Sequence, residues 1–306
     1  MPNLARALVF LIPIQAIVVV CLTVERLVTL LNDNNGVLNN DGKVAIVLIA
    51  SYFPFTYNAL DAILLENKYQ LASFMVLNGV VLFYCAYDFI YDDVVLMEFK
   101  NAKLVRLVFV AICAPTNVLL GILAFRDFGW VAARTVGTSL ERVELFDQYQ
   151  RLVAFIKIDV QMNLTLLVFS ALFVVQDVAF AIADGVLLAL SLPWAFLLLL
   201  GVRRENAVIT KACIIGGVIN PTYVACRIAF YALNDLGQSI GTGRQQWIML
   251  SMALLAIALR CGTSFSAIRV WLGFGGGLLE VFAKKTTDKR PKPKFATDDD
   301  PLLPRN

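Results

Sequence analysis

Histidine is absent from the 306-residue sequence, and charged residues make up only 16% of it. The lack of histidine removes the commonest general base and metal ligand, and it excludes any Ser-His or Cys-His nucleophile pair. No CxxC spacing occurs among the six cysteines, which lie within apolar segments, where we expect small buried hydrophobes: Cys21, Cys85, Cys113, Cys213, Cys226 and Cys261. The sequence therefore predicts no metal site, no cofactor and no enzymatic activity.

Apolar residues dominate what remains. They make up 59% of the chain, against about 45–50% in soluble proteins, and the mean hydropathy is +0.74. The formal net charge of +3 is too small to indicate nucleic-acid binding, and no basic patch interleaved with aromatic residues occurs outside the C-terminal tail. The composition is that of an integral membrane protein.

Long apolar runs predict an all-α, polytopic transmembrane bundle of about eight spans, since a spanning helix needs about 20 apolar residues. The eight runs cover residues 6–29, 44–65, 69–91, 103–125, 152–176, 185–202, 206–233 and 247–270. The sixth run is the shortest. We place the bundle in residues 1–275, with a cytosolic helical extension over about 126–151, and a disordered cytosolic tail in residues 276–306.

Lysine and arginine predict the orientation of the bundle, because cytoplasmic loops of membrane proteins carry an excess of these residues. With eight spans both termini lie on the same side, and that side holds most of the basic residues between the spans as well as the basic tail. The sequence therefore predicts that both termini are cytosolic.

One stretch, residues 138–176, is typical of a long helix that begins in water and ends across a bilayer. Thr138 and Glu141 form a capping-box pattern, which marks a helix start. The first turns carry several charged residues, whereas the composition turns apolar after Leu152. We expect this helix to enter the membrane near Leu152.

Four polar residues interrupt the apolar part of this helix: Lys157, Asp159, Gln161 and Asn163. A charge near the middle of a bilayer costs at least about 2.5–3.5 kcal/mol, so these side chains should face protein or water. Side chains four residues apart share a helix face. The spacing thus predicts two seams, the Lys157 seam (Lys157 and Gln161) and the Asp159 seam (Asp159 and Asn163).

Partners for these seams are predicted by depth in the membrane. Asn58 and Asp61 lie three residues apart on the second span, toward the end that faces the same side as Lys157, and we predict an ion pair between Lys157 and Asp61. Arg260 falls near the middle of the last span, and the sequence identifies no partner for it.

The polar seams admit two interpretations. Buried polar contacts between helices are common in membrane bundles, although they average only about 0.6 kcal/mol. Alternatively, the seams line a path for an ion or small solute, which the prolines inside five spans would favour because broken helices line many transporter sites. Asn220-Pro221-Thr222-Tyr223 is one residue short of the NPxxY motif of seven-helix receptors, which makes a receptor a weaker alternative.

The tail carries two candidate signals. Residues 284–294 (KKTTDKRPKPK) follow the last span, and their positive charges are suited to binding anionic lipid headgroups. The spans themselves are expected to contact membrane lipid. Asp298, Leu302 and Leu303 match an acidic dileucine pattern, which predicts recognition by clathrin adaptors and sorting among Golgi, endosomal or vacuolar membranes.

Several segments together resemble an uncharacterised family of fungal Golgi apparatus multi-pass membrane proteins. The matching residues are Gln15-Ala16-Ile17, Asp61-Ala62, Asn67, Gln70, Asn78, Phe83-Tyr84, Phe128-Gly129-Trp130, Tyr149, Lys157 and Asp159. The resemblance covers roughly residues 8–165, and Lys68-Tyr69 departs from its pattern. It implies a helical multi-pass fold and a Golgi or related endomembrane location, and it supplies no activity; the tail signal keeps an endosomal or vacuolar membrane as the alternative.

Overall fold

The computed structural model describes residues 3–33, 40–90, 97–136, 140–173, 178–234 and 243–276, and these ranges form nine α-helices and no strand. The helices are α1 (Asn3–Asp33), α2 (Asn40–Leu64), α3 (Lys68–Ile90), α4 (Met97–Val136), α5 (Leu140–Phe173), α6 (Val178–Arg203), α7 (Ala207–Gly216), α8 (Ile219–Asn234) and α9 (Gly243–Leu272).

Eight helical stretches within the described ranges are long and apolar enough to cross a membrane. This confirms the predicted helical class and span count, and the sixth stretch, residues 182–203, qualifies with the others. Large apolar side chains also point outward, as at Phe10, Phe53 and Phe83, which are 71%, 80% and 75% exposed. An apolar outer surface of this extent suits a lipid environment.

Helix α4 is much longer than the span predicted within it. Its 40 residues would extend about 60 Å at about 1.5 Å per residue, roughly twice the thickness of a bilayer core. Residues 97–102 and 126–136, on either side of the span predicted at 103–125, are therefore helical as well. The second of these segments contains Ala132, Ala133 and Arg134, residue types that favour a helix, so the helix continues past the apolar run.

The seventh predicted span is divided into α7 and α8, which corrects the expectation of one continuous helix over 206–233. Gly217 and Val218 form a turn between the two helices. Pro221 lacks an N–H for the carbonyl of Gly217, and its ring would clash with that carbonyl in a regular helix. The interruption of the regular helix thus lies one turn before the proline, at the Gly216-Gly217 pair.

Among the described residues two large apolar cores hold the bundle together, and a smaller cluster joins α5 and α9 around Leu166, Ala253 and Ala256. The first is built by α1 to α4 and includes Leu8, Phe55, Leu71 and Val110, all at most 5% exposed. The second joins α5, α6, α7 and α9 around residues such as Leu152 and Leu198. Helix α5 packs against α2, α3 and α4 on one side and against α6 and α9 on the other, so it connects the two cores.

The α5–α9 contact depends on small side chains. On α9 the buried positions include Ala253, Ala256 and Ala267. A Cβ at Gly262 would lie 3.2 Å from the Phe155 ring, so α5 approaches closely there.

The cysteines divide into two groups. Cys85, Cys113 and Cys213 are buried as predicted, whereas Cys21, Cys226 and Cys261 are exposed, which corrects the expectation that all six lie inside. All six are free thiols. Their apolar helices place the exposed three on the outer, lipid-facing surface rather than in the core.

Candidate functional site

The Lys157 seam of α5 faces α2 and α3. Lys157 Nζ forms an ion pair with Asp61 Oδ2 on α2, which is the pairing that the sequence predicts. Gln70 on α3, with its amide oxygen turned toward Lys157, accepts from Nζ at 2.8 Å and donates to Asp61 Oδ2 at 3.3 Å. One turn further along α5, Asn58 Nδ2 donates to Gln161 Oε1 at 2.8 Å. The seam is a continuous polar contact between the two cores.

The Asp159 seam faces the opposite side of α5, toward α8 and α9. Asp159 is 0% exposed, and its Oδ2 lies 3.1 Å from Nε of Arg260, which is 3% exposed. Asn163 Nδ2 donates to Asp159 Oδ1 at 3.0 Å, and Asn220 Nδ2 at the start of α8 donates to Asn163 Oδ1 at 2.8 Å. The amides of Asn163 and Asn220 therefore link the buried ion pair by hydrogen bonds to the start of α8.

Trp194 on α6 connects the ion pair to that break. The Arg260 guanidinium lies over the Trp194 ring, 3.9 Å from its centroid, a cation–π geometry. Trp194 Nε1 donates to the carbonyl oxygen of Cys213 at 2.8 Å, and the Gly217 N–H bonds to the same oxygen. A Cβ at Gly217 would lie 3.1 Å from the indole. The indole thus packs directly on the turn between α7 and α8.

A pocket opens beside the Asp159 seam. Its lining comes from α5, α6, α8 and α9 and consists of Asn163, Leu166, Leu167, Ser170, Asp184, Leu187, Asn220, Tyr223, Val224 and Ala253. At one end lie the amides of Asn163 and Asn220. At the other end Asp184 accepts hydrogen bonds from Ser170 Oγ at 2.8 Å and from Tyr223 OH at 2.9 Å. The walls between these ends are mainly leucine side chains.

A third polar cluster lies where α5 begins. Asp147 pairs with Lys68 Nζ at 2.6 Å and Arg151 Nη2 at 3.0 Å, and Tyr69 OH donates to its carboxylate. Asn67 Oδ1 accepts from the Tyr69 N–H at 3.0 Å, which caps the start of α3. Lys68 and Tyr69, which depart from the family pattern noted above, are the residues that anchor the α2–α3 link to α5.

The described residues bring together the seven predicted site residues in two groups rather than one. Lys157, Gln161, Asn58 and Asp61 form the Lys157 seam, and Arg260 joins Asp159 and Asn163 on the other side of α5. Thr138 of the predicted capping box, the basic segment 284–294 and the predicted sorting signal (Asp298, Leu302 and Leu303) lie outside the described residues.

Sequence reasoning missed several interior contacts. Arg260 was left without a partner, although Asp159 was the carboxylate still unassigned once Lys157 had been matched to Asp61. A second missed group lies in the first core, where Gln15 Nε2 donates to Asn78 Oδ1 at 3.2 Å and Asn117 Nδ2 donates to Gln15 Oε1. The available signal was that the first, third and fourth spans each contain one of these amide residues. The pairing itself required knowledge of which helices are neighbours.

Comparison with known proteins assigns no activity to this arrangement. Residues 3–126 match the family model described as a domain of unknown function (DUF7789). This range contains α1, α2, α3 and most of α4. No curated protein matches the chain. No solved structure matches it either. The match agrees with an uncharacterised family and covers the helices of the first core.

Proposed function

We propose that the protein is a non-enzymatic, multi-pass integral membrane protein of the Golgi apparatus or a related endomembrane. The observation that carries the proposal is the pairing of charges inside the bundle: Lys157 with Asp61, and Asp159 with Arg260. Each pair joins α5 to a different neighbour. These charges therefore neutralise one another across helix contacts, as in a packed scaffold, instead of converging on one reactive centre.

The endomembrane location rests on the tail pattern and on the family resemblance. We expect Leu302→Ala with Leu303→Ala to shift a tagged full-length protein from internal membranes toward the cell surface, because an adaptor would no longer bind the dileucine. Fluorescence microscopy with a Golgi marker measures the shift. Leu272→Ala, at an exposed apolar position at the end of α9, is the control and should leave the distribution unchanged. An unchanged distribution of the dileucine variant would reject the sorting signal.

A transporter or channel for an ion or small solute is the second candidate. It is favoured by the break between α7 and α8, which lies beside a pocket lined by Asn163 and Asn220 at the depth of the Asp159 ion pair. Gly217 keeps a helical conformation (φ −62°, ψ −21°), and the Val218 N–H bonds to the carbonyl of Ile215, so the helix tightens locally at this turn. A pocket that admits water beside this turn would support the transporter candidate.

Water in the pocket is tested with a thiol at Leu167. In a chain without the six native cysteines, Leu167→Cys should react with a membrane-impermeant thiosulfonate at least about tenfold faster than Leu190→Cys, because a thiolate forms only in contact with water. Leu190 is 59% exposed on the apolar face of α6 and serves as the matched lipid-facing control. Equal rates would reject the transporter candidate and leave the scaffold proposal intact.

A further inference from the structure

A series of direct contacts runs from the pocket to the broken helix. Asn163 lines the pocket and donates to Asp159, and Asp159 pairs with Arg260. Arg260 stacks on Trp194, and Trp194 donates to the Cys213 carbonyl beside the turn at Gly217. Each step but the last is a polar or cation–π contact between side chains, and the last is a hydrogen bond from the indole to the backbone. A change of charge at Asp159 therefore reaches the break through two side chains.

We propose that Asp159 is a proton-binding site that is reached from the pocket past Asn163, and that its charge controls how Trp194 packs on the turn between α7 and α8. The ligand is a single proton, which adds to a carboxylate oxygen of Asp159 and breaks no other bond. The Asp159–Arg260 pair then changes from neutral to one net positive charge.

The geometry of Arg260 explains why this change would be transmitted. A buried guanidinium without a counter-ion is costly at membrane depth, so Arg260 cannot keep its position once Asp159 is neutral. The same guanidinium covers the Trp194 ring, so its movement alters the surroundings of the indole. The contact between Asp159 Oδ2 and Arg260 Nε is an ion pair without hydrogen-bond alignment, since both atoms are buried without a hydrogen bond. Such a contact is more easily released than a two-pronged Arg–carboxylate pair.

The other charged groups near Asp159 are accounted for on each neighbouring element. On α5 itself, Lys157 points to the opposite side and pairs with Asp61 of α2. From α9 the facing charge is Arg260, and from α6 Asp184 lies at the far end of the pocket, where Ser170 and Tyr223 donate to it. Among the described side chains, the contacts from Asn220 on α8 and from Trp194 are neutral. Asp159 and Arg260 thus form the titratable unit that touches the indole.

The inference goes beyond both proposed functions, because proton binding is measured on the protein itself and requires neither transport nor a particular organelle. The test uses the full-length chain in lipid nanodiscs with Trp194 as the remaining tryptophan, after Trp130, Trp247 and Trp271 are replaced by phenylalanine. We expect its emission to change in one sigmoidal step across about pH 4 to 8, a range that covers buried carboxylates. Asp159→Asn should abolish the step.

Two further variants complete the experiment. Asp61→Asn removes the ion-paired carboxylate on the other side of α5, which is 20% exposed, and it should keep the step. Asp159→Asn with Arg260→Gln removes both charges, so it folds without a lone buried cation and should also lack the step. The proposal is overturned if the parent protein shows no step, if the step persists without Asp159, or if Asp61→Asn removes it as well.

Discussion

Replacing Arg260 by leucine is expected to destabilise the folded protein by about 3–5 kcal/mol, because it leaves Asp159 as a fully buried carboxylate without its cation. The lost cation–π contact with Trp194 adds to this effect. We therefore expect the variant to give little monodisperse protein in detergent and a markedly lower midpoint of thermal unfolding than the parent.

Two comparisons distinguish the loss of the Asp159–Arg260 ion pair from a general effect of removing a charge. Arg204→Leu removes an exposed arginine in the turn after α6 and should leave the midpoint nearly unchanged. Arg260→Leu with Asp159→Leu removes both buried charges and should recover most of the stability, since replacing a whole buried pair by apolar residues is often neutral. If the double variant were as unstable as Arg260→Leu, the ion pair would not be the source of the loss.

Replacing Lys157 by aspartate is expected to be the second most damaging change, by about 2–4 kcal/mol, because it sets two carboxylates against each other between α5 and α2. The effect should be smaller than at Arg260, since the side chains of Lys157 and Asp61 are 17% and 20% exposed and solvent screens part of the repulsion. The thermal midpoint in detergent and the yield of folded protein measure the loss.

The exchanged pair, Lys157→Asp with Asp61→Lys, should restore at least half of this stability because opposite charges again meet at the same contact. Lys211→Asp is the control: it reverses an exposed lysine on α7, which lies over the Trp271 ring 4.8 Å from its centroid. A lack of rescue by the exchange would show that the Lys157–Asp61 ion pair is not the source of the loss.

The number of spans and the two polar seams of α5 could be predicted from the sequence, because each depends on the composition and spacing of residues within one helix. Span number follows from runs of apolar residues, and the eight spans were found in this way. The two seams of α5 follow from the helical spacing of four residues between polar side chains. The Lys157–Asp61 contact followed from similar depth and opposite charge, although α2 and α5 are far apart in sequence.

The missed features depend on information that no short window contains. The sequence is apolar on both sides of Gly217, so a hydropathy profile shows no interruption there. Proline is no guide either, because the prolines of α1, α2, α4 and α6 lie inside continuous helices. The Asp159–Arg260 contact requires that α9 pack beside α5, which many arrangements of eight helices would not provide. The full length of α4 follows from no apolar run, because the helix extends through the polar residues at 97–102 before the predicted span begins.

The separation of Lys157 from Asp61 by 96 residues has a consequence for biogenesis. Asp61 leaves the ribosome, and α2 must enter the bilayer, before its counter-ion has been translated. At about 5–20 residues per second this interval lasts roughly 5–20 s. During that time the first four helices carry Asp61 without its counter-ion, and a carboxylate deep in a bilayer costs about 2.5–3.5 kcal/mol until the fifth helix arrives.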